Sequence, residues 1–489
     1  MNLPDSFIRY TSRLMGDELY ARFSDGLNEE APVSIRINRL KSRGRSVAGT
    51  AVNVPWCGDG RYLPQRPDFT FDPLLHAGCY YVQEASSMFV HHVLRSLVST
   101  PVLMLDMCAA PGGKSTAAAS ALPEGSILMS NEPVRARANI LAENMMKWGS
   151  PDVIVTNNYP RDYVRSGLDF DVILCDVPCS GEGMFRKDEG AVEEWSPQNV
   201  DACSRLQREI VADAWQCLRP GGLLIYSTCT FNATENEENI RWIVDELGGM
   251  PVAVPVSEGW GICGSLLADF TAPVYRFIPG CTRGEGLFMA VLRKSPDAES
   301  PIILRKGKRY VQDKYDNGNK KRKDKAIAAS LVSRDIEKIV SGWTSFVSGD
   351  EHIEPALRQS DVCVLALTPH LARLYDAASL SLRVLSAGVT LGNVKGHDIV
   401  PNHSLALSSV LCPDAFPVVP LTYTQAVAYL RRETVALPPD TPMGFVLVAW
   451  HDAVLGFVKN IGNRANNLYP QEWKIKSTHV PDREPWVLV

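Results

Sequence analysis

The stretch Cys108-Ala109-Ala110-Pro111-Gly112-Gly113-Lys114 decides the fold of this chain. It follows the apolar run 101–106 and leads into a helix-like stretch, 114–121. A strand that ends in a small-residue loop and then opens a helix is where a nucleotide-like ligand docks in an open α/β sheet. The sequence therefore predicts a sheet whose binding crevice begins at this turn.

Around this turn, apolar strand-like runs alternate with helix-like stretches. This alternation is typical of a parallel sheet with crossover helices. It predicts a Rossmann-like, doubly wound α/β core over residues 71–295. The runs are 101–106, 126–131, 152–156, 170–176, 222–227 and 287–292, and the helical stretches include 114–121, 133–148 and 203–218.

The 489 residues leave room for further domains. Residues 1–70 are interpreted as an N-terminal α+β extension, in which the basic segment 36–43 reads as a solvated edge strand. A basic linker at 296–325 and a mixed accessory region at 326–420 follow. The remainder, 421–489, predicts a β-rich module with short strands at 444–450 and 454–458.

The bulk composition excludes several classes of protein. A net charge of −5 gives no global sign of a nucleic-acid partner, so any such surface is a local patch. No apolar stretch approaches the roughly 18 to 20 residues of a membrane span. The 12 cysteines lack Cys-x-x-Cys spacing, which predicts free thiols, no metal site and a cytoplasmic location.

The glycine-rich turn is not a phosphate-binding P-loop. That motif requires a glycine where Cys108 stands, and Pro111 lacks a backbone donor. Asp106 precedes the turn, and Glu132, about twenty positions beyond it, is placed to accept hydrogen bonds from ribose hydroxyls. S-adenosylmethionine fits this arrangement.

Two cysteines follow later strands of the core. Cys179 lies in Asp176-Val177-Pro178-Cys179-Ser180-Gly181, and Cys229 lies in Ser227-Thr228-Cys229-Thr230. Carbon 5 of cytosine becomes nucleophilic only after a thiolate has added to carbon 6. A second group must then assist removal of the carbon 5 proton and release of the thiol. Two thiols beside a methyl donor therefore suit methyl transfer to a pyrimidine carbon.

The attacking thiol needs cationic surroundings or a base, because an ordinary thiol is mostly protonated at neutral pH. Candidate cations are Lys114, Arg186 and Lys187.

At these residues the chain resembles the RNA cytosine carbon-5 methyltransferases of the Sun type, and within them the bacterial ribosomal enzymes of the RsmF kind. The resemblance covers residues 80–294 and extends less specifically into both flanks. It rests on several motifs in order, namely Tyr81-Val82-Gln83-Glu84-Ala85-Ser86-Ser87, the turn 108–114, the segments 176–181 and 227–230, and Thr282-Arg283-Gly284-Glu285-Gly286-Leu287-Phe288.

The resemblance implies a role for each site residue. Cys229 would attack carbon 6, and Cys179 would assist elimination and product release. The turn from Cys108 to Lys114, with Glu132 and Asp176, would line the cofactor and base pocket. In DNA cytosine methyltransferases the Pro-Cys thiol is the nucleophile instead, so possession of both cysteines indicates the RNA class.

One position departs from the family pattern. Tyr159 stands where the family usually has an aspartate that contacts the adenine amino group. Asn158, Asp162 or the backbone remain the alternatives for that contact.

The C-terminal module is similar to the PUA-like RNA-binding module of this branch. The similarity lies in 455–459, in Asn466-Asn467-Leu468-Tyr469-Pro470 and in Trp473. Exposed aromatic rings there would stack on bases. The alternative is that Tyr469 and Trp473 are core aromatic residues.

The expected protein is thus a monomeric S-adenosylmethionine-dependent methyltransferase that acts on a cytosine flipped out of RNA. The resemblance favours 16S ribosomal RNA or the small ribosomal subunit as its partner, with RNA-binding modules at both ends. Transfer RNA is the second candidate substrate. The alternative of another class is a catalytically silent RNA-binding assembly factor.

Overall fold

The computed structural model of the chain describes residues 3–298, 332–348, 351–360, 362–396, 398–477, 480–481 and 484–489. The predicted basic linker lies outside the described residues except for 296–298, and so do residues 326–331 of the predicted accessory region. Among the helices described, none has the length and apolar character that crossing a membrane requires.

The N-terminal part combines a long helix with a four-stranded antiparallel sheet. Its elements are α1 (Asp5–Asn28), β1 (Val33–Ile37), β2 (Val52–Val54), β3 (Cys57–Leu63), α2 (Pro73–His76), β4 (Tyr80–Val82) and α3 (Phe89–Leu97). Gly16, with a φ of 72°, interrupts α1. The strand order is β2-β3-β1-β4, so β1 lies inside the sheet.

The interpretation of segment 36–43 as a solvated edge strand is therefore wrong. Arg36 on β1 is 0% exposed. Its guanidinium donates from Nε to Gln83 Oε1 at 2.8 Å and from NH2 to Thr116 Oγ1 at 2.6 Å. Burial without a carboxylate partner lowers the pKa of Arg36 to about 10. This side chain anchors the N-terminal sheet to the helix that follows the glycine-rich turn.

The centre of the chain is the expected doubly wound α/β domain. Its elements are β5 (Leu103–Asp106), α4 (Gly113–Ala121), β6 (Ile127–Asn131), α5 (Arg135–Trp148), β7 (Val153–Thr156), α6 (Pro160–Ser166), β8 (Phe170–Asp176), α7 (Glu189–Glu194), α8 (Pro197–Cys217), β9 (Leu218–Thr228), α9 (Glu237–Leu247), β10 (Met250–Pro251), β11 (Tyr275–Phe277) and β12 (Leu287–Arg293). The strands lie in the order β10-β12-β9-β8-β5-β6-β7, with β11 beside β12. Because β5 pairs in parallel with both β6 and β8, the winding reverses at β5 and the binding crevice lies at its carboxyl end.

The predicted α/β class and its strand-like runs are confirmed, but the sheet is not wholly parallel. The last strand, β12, runs antiparallel to β9. A strand that is buried on both faces has the same apolar composition in either direction, so its sequence does not reveal its orientation.

Both faces of the sheet are covered. Met104 packs in a cluster with Ala117 of α4 and Leu141 of α5. Its neighbour Leu105 points to the opposite face and packs with Ile210 of α8. This alternation fixes the sheet between two helical layers and leaves the strand ends for the site.

The accessory region adds a sheet of its own and also extends the core sheet. Its elements are α10 (Arg334–Val340), β13 (Phe346–Ser348), β14 (Glu351–Ile353), β15 (Ala356–Gln359), β16 (Cys363–Leu367), α11 (Pro369–Ala378), β17 (Val384–Ala387), β18 (Val389–Lys395), β19 (Asp398–Pro401) and α12 (His403–Leu407). Strands β15-β16-β18-β19 form a sheet, whereas β17 pairs antiparallel with β7 of the core.

The C-terminal module is β-rich, as predicted. Its elements are β20 (Val418–Pro420), α13 (Tyr423–Leu430), β21 (Gly444–Trp450), β22 (Ala453–Asn460) and β23 (Ala465–Asn467), and the strand order is β20-β21-β22-β23. The expectation of exposed, base-stacking aromatic rings is wrong for Tyr469, which is 0% exposed. Trp473 is half-buried, with its ring 5.1 Å from that of His403. Tyr469 therefore packs inside the protein, and Trp473 packs partly against His403.

Candidate active site

The glycine-rich turn connects β5 to α4 at the carboxyl end of the sheet. Gly112 has a φ of 114°, which only glycine adopts readily, and α4 begins at the next residue. A Cβ atom at Gly112 would lie 3.3 Å from Leu141 Cδ1. The conformation and the lack of a side chain thus let the backbone turn tightly against α5.

Helix α5 holds this turn from outside. Arg137 NH2 donates to the Ala110 carbonyl oxygen at 3.1 Å, and Asn144 Nδ2 donates to that of Pro111 at 2.8 Å. Two carbonyl groups of the turn are therefore engaged on one side. The turn is preorganised.

Two acidic groups follow neighbouring strands at this edge. Asp106 is 0% exposed, and its Oδ2 accepts from Ser115 Oγ at 2.6 Å. Its Oδ1 is buried without a hydrogen-bond partner among the described residues, and burial raises the Asp106 pKa to about 7. Glu132 is 2% exposed and accepts from the Val134 amide at 2.9 Å. An unsatisfied buried acceptor calls for a donor, and a ligand ammonium would supply one.

Asp176 ends β8 and forms an ion pair with the lysine of the turn. Lys114 Nζ lies 2.9 Å from Asp176 Oδ2, and Ser227 Oγ donates to Asp176 Oδ1 at 2.7 Å. Burial lowers the pKa of Lys114, but the adjacent Asp176 carboxylate more than offsets this and the pKa is raised. The Asp176 side chain is 30% exposed, so this pair faces the crevice.

The two cysteine sulfurs meet at the same strand ends. Cys179 Sγ lies 3.2 Å from Cys229 Sγ, and both residues are partly exposed. Contact with the Cys229 sulfur, together with burial, raises the pKa of Cys179.

The candidate cations have different surroundings. Lys114 is close enough for the Cys229 charge to contribute to its raised pKa. Arg186 Nε instead pairs with Glu285 at 2.9 Å, and Lys187 Nζ lies 3.5 Å from the same carboxylate. Of the three cations, Lys114 is thus the one whose charge the Cys229 side chain influences, whereas the other two pair with Glu285.

Two buried glutamates, which sequence reasoning missed, tie the two cysteine loops together. Glu182, on the loop that carries Cys179, is 1% exposed. Its Oε2 accepts from the backbone amides of Phe231 and Asn232, at 2.6 and 3.0 Å, in the loop that follows Cys229.

Glu235 makes the reciprocal connection from the Cys229 side. It is 0% exposed and accepts from the Ser180 amide at 3.0 Å and from Ser180 Oγ at 2.5 Å. Asn232 Nδ2 donates to Glu182 Oε1 at 2.9 Å and to Glu235 Oε1 at 2.8 Å. Burial raises the pKa of both glutamates. We call these two residues the carboxylate clamp.

A close backbone contact reinforces the clamp. The Gly183 amide donates to the Cys229 carbonyl oxygen at 2.7 Å. A Cβ atom at Gly183 would lie 2.5 Å from that oxygen. The available sequence signal was an acidic residue in each cysteine loop, beside small residues that permit close approach.

The surface beyond β7 shows which candidate adenine contacts are already occupied. The side-chain amide of Asn158 accepts from the Arg383 backbone N–H at 2.9 Å and donates to the Arg383 carbonyl oxygen at 3.2 Å. Asp162 Oδ2 accepts from the Tyr159 amide at 3.0 Å. Tyr159 is 62% exposed, and Val134, beyond β6, is 51% exposed. Two exposed apolar side chains thus follow neighbouring strands.

Comparison with known proteins adds three family matches along the chain. Residues 99–293 match the family of the 16S rRNA methyltransferase RsmB/F. Residues 3–85 match the N-terminal domain of the 16S rRNA methyltransferase RsmF, and residues 416–475 match the RsmF PUA domain.

Full-length relatives and solved structures agree with these matches. Ribosomal RNA small subunit methyltransferase F of Cronobacter sakazakii is 31% identical over 90% of this chain and 89% of its own length. The protein of the same name from Escherichia coli O6:H1 is 29% identical over 96% of each chain. The crystal structure of PH0851 covers 60% of this chain and 66% of its own at 24% identity, with a TM-score of 0.53. NSun6 from Pyrococcus horikoshii, solved with SFG, covers 60% of this chain and 99% of its own at 21% identity, with a TM-score of 0.50.

Proposed function

Because this chain belongs to the RsmF family of 16S rRNA methyltransferases, we propose that it methylates carbon 5 of a cytosine in 16S ribosomal RNA. The methyl donor is S-adenosylmethionine. The observation that carries the proposal is the 3.2 Å contact between the Cys179 and Cys229 sulfurs, beside the Lys114–Asp176 ion pair. One crevice offers both thiols to a single flipped base.

The cofactor fits the residues around the turn. S-adenosylmethionine supplies an electrophilic methyl group on a sulfonium. The buried Oδ1 of Asp106, which has no partner among the described residues, suits its ammonium group, and Glu132 suits the ribose hydroxyls. The exposed side chains of Val134 and Tyr159 suit the faces of the adenine ring. In this proposal apolar contact replaces the aspartate that the family usually has at position 159.

The two cysteines take the roles that the family resemblance implies. Cys229 is the thiolate that adds to carbon 6, and Cys179, whose sulfur lies 3.2 Å from that of Cys229, assists elimination and product release. The added electron pair moves onto carbon 5, which takes the methyl group and leaves a neutral thioether as the second product. Asp176 is the proposed hydrogen-bond partner of the base.

Release reverses the addition. A base removes the proton from carbon 5, the ring double bond re-forms, and the bond between carbon 6 and the Cys229 sulfur breaks. The Cys179 sulfur, 3.2 Å from that of Cys229, is placed to assist this step.

The test is transfer of a tritiated methyl group to 16S ribosomal RNA from cells that lack the enzyme. Cys229→Ala should abolish both transfer and covalent capture of RNA. Cys179→Ala should accumulate a protein–RNA complex that survives denaturation. Cys412→Ala, a partly exposed cysteine of the accessory region, serves as the control. Exchanged phenotypes would assign the nucleophile to Cys179, and no transfer by the unaltered protein would refute the function.

Location and assembly are part of the proposal. The cytoplasm is the expected location, because ribosomal RNA is there. We expect a monomeric enzyme.

A further inference from the structure

The segment that leads into β12 lies at the same edge of the core sheet as the two cysteines. Because β12 runs antiparallel to β9, the start of β12 pairs with the end of β9, and Phe288 lies opposite Thr228. Cys229 follows Thr228 directly, so the residues just before β12 lie beside the site. The mechanism proposed above assigns no role to Arg283 in this segment.

Contacts with both cysteine loops hold the segment in place. The Gly284 carbonyl oxygen accepts from Arg186 NH2, in the loop that follows β8, at 2.5 Å. A Cβ atom at Gly286 would lie 2.6 Å from the ring of Phe231, in the loop that follows β9. The segment is therefore packed against the two loops that present the sulfurs.

The Arg283 side chain is exposed, but Tyr62 of the N-terminal sheet restrains its orientation. The guanidinium carbon lies 4.4 Å from the centre of the Tyr62 ring, and the Tyr62 hydroxyl donates to the Arg283 carbonyl oxygen at 2.6 Å. Tyr62 is only 3% exposed, so its ring is a fixed platform. An arginine that stacks on a ring keeps the N–H groups at the edge of its plane free to donate. The side chain is thus preorganised for a ligand.

No direct ion pair neutralises Arg283. Among the residues that the structure describes, its guanidinium has no hydrogen-bond or ion-pair partner. The carboxylate of Glu84, just after β4, instead accepts from the backbone amides of Ser86, Ser87 and Glu285, at 2.8 to 3.0 Å. An exposed and unpaired guanidinium at this edge attracts an anion.

The RNA substrate itself supplies a suitable anion. Each nucleotide carries one negatively charged phosphate, and contacts to phosphates fix the position of a nucleic acid on its protein. A guanidinium can bind a phosphate through two parallel N–H donors, which also fixes the orientation of the group. A nucleotide that has left the base stack needs its backbone held in an unusual conformation, and a phosphate contact beside the pocket stabilises that conformation.

From these observations we propose that Arg283, stacked on Tyr62, binds a phosphate group of the RNA next to the flipped cytosine. This proposal rests on the proposed function and adds to it a residue that positions the substrate. The contact is made to the backbone, so it does not depend on the base sequence.

Arg283→Gln tests the contact on a short single-stranded RNA that contains the target cytosine. The KM for this RNA should rise about tenfold because a charge-assisted hydrogen bond is lost, while kcat should stay within about twofold. The slope of log affinity against log salt should become shallower by about 0.7, since one phosphate contact to a single strand is lost. Arg283→Lys should retain the salt slope but restore the KM only in part, because lysine keeps the charge and lacks the planar fork.

Neutral methylphosphonate linkages identify the phosphate. Each linkage near the target cytosine is replaced in turn, and one replacement should raise the KM of the unaltered protein about tenfold. The same replacement should have little further effect on Arg283→Gln, because the partner of that phosphate is already absent. A purely structural role of Arg283 would not produce this dependence on one linkage.

Arg334→Gln is the matched control, because it removes an exposed arginine from α10. It should leave the KM, the salt slope and the response to methylphosphonates unchanged. All three variants should bind S-adenosylmethionine as the unaltered protein does.

Three results would overturn the proposal. These are an unchanged KM and salt slope in Arg283→Gln, equal sensitivity of Arg283→Gln and the unaltered protein to every methylphosphonate, or a loss that depends on the identity of a flanking base. The last result would show that Arg283 contacts a base instead of a phosphate. If the unaltered protein methylates no form of the RNA, the proposed function fails, whereas methylation without any effect of Arg283→Gln refutes this contact alone.

Discussion

Replacing Glu235 with glutamine perturbs the carboxylate clamp while nearly preserving its shape. Glu235 Oε2 accepts from the Ser180 amide at 3.0 Å and from Gln207 Nε2 at 2.6 Å. Its Oε1 accepts from Ser180 Oγ and from Asn232 Nδ2. Glutamine has an NH2 group in place of one of these carboxylate oxygens. That NH2 group would face side-chain and backbone groups that are themselves hydrogen-bond donors.

The surrounding groups cannot all reorient. Asn232 Oδ1 accepts from the Glu235 amide, and Gln207 Oε1 accepts from Tyr226 and Asn239, so neither amide can flip without losing bonds. At least one buried donor is left unsatisfied, at about 1 to 3 kcal/mol for each group. The expected loss of unfolding free energy is about 2 to 3 kcal/mol.

The substitution should also slow the chemical step. The Ser180 amide adjoins Cys179, so a loosened clamp lets that sulfur move away from Cys229. A misplacement of about 1 Å can reduce a rate about 100-fold. We therefore expect kcat for methyl transfer to fall at least about tenfold, with little change in the KM for RNA.

The rate at which diamide oxidises the two thiols to a disulfide reports how closely their sulfurs approach. The reagent converts two thiols to a disulfide and is itself reduced to a hydrazine, and the unaltered pair, 3.2 Å apart, should close rapidly. Glu235→Gln should close more slowly. The exposed Glu193→Gln is the control and should behave as the unaltered protein. Unaltered rates of both disulfide closure and methyl transfer in Glu235→Gln would refute the reasoning.

Three further outcomes are expected. The pKa of Asp106 is about 7 in the fold against an ordinary 3.8, so its charged form destabilises the fold increasingly as pH rises through that window. Asp106→Asn should therefore raise the melting temperature more at pH 8 than at pH 5, and it should weaken S-adenosylmethionine binding. Thermal unfolding with and without cofactor measures both effects, and an equal rise in melting temperature at both pH values would contradict the prediction. Tyr159→Ala should weaken cofactor binding about tenfold by calorimetry, since a stacked ring contributes roughly 1 to 3 kcal/mol, and leave RNA affinity unchanged; full affinity would place the adenine elsewhere. Arg36→Met should cost about 3 kcal/mol in urea unfolding by breaking the bonds to Gln83 and Thr116, and a loss below 1 kcal/mol would show that this anchor is dispensable.

The fold of the core could be predicted from the sequence because the patterns that indicate it are local. Apolar runs and the turn after Asp106 sit within a few residues of one another, and such patterns predict strands and their ends. The positions of Cys179 and Cys229 after neighbouring strands followed from the same reasoning, because parallel strands end at one edge.

What the sequence did not reveal depends on contacts between distant segments. Arg36 looked like part of a solvated basic run, yet its partner Thr116 lies 80 positions away. Sequence reasoning missed Glu182 and Glu235, because their burial depends on amide donors that two loops supply only when folded together. The sequence around Tyr469 does not distinguish an aromatic ring of the core from an exposed one.

The pairing of β17 with β7 makes the donor side of the enzyme a composite of distant chain segments. The Arg383 backbone, just before β17, bonds with Asn157 and Asn158, which precede Tyr159. A fragment cut at residue 295 would keep both cysteines but expose an unprotected strand edge, which invites self-association. Chimaeras in which the accessory segment alone is exchanged should consequently change the affinity for the methyl donor as well as the recognition of the nucleic acid.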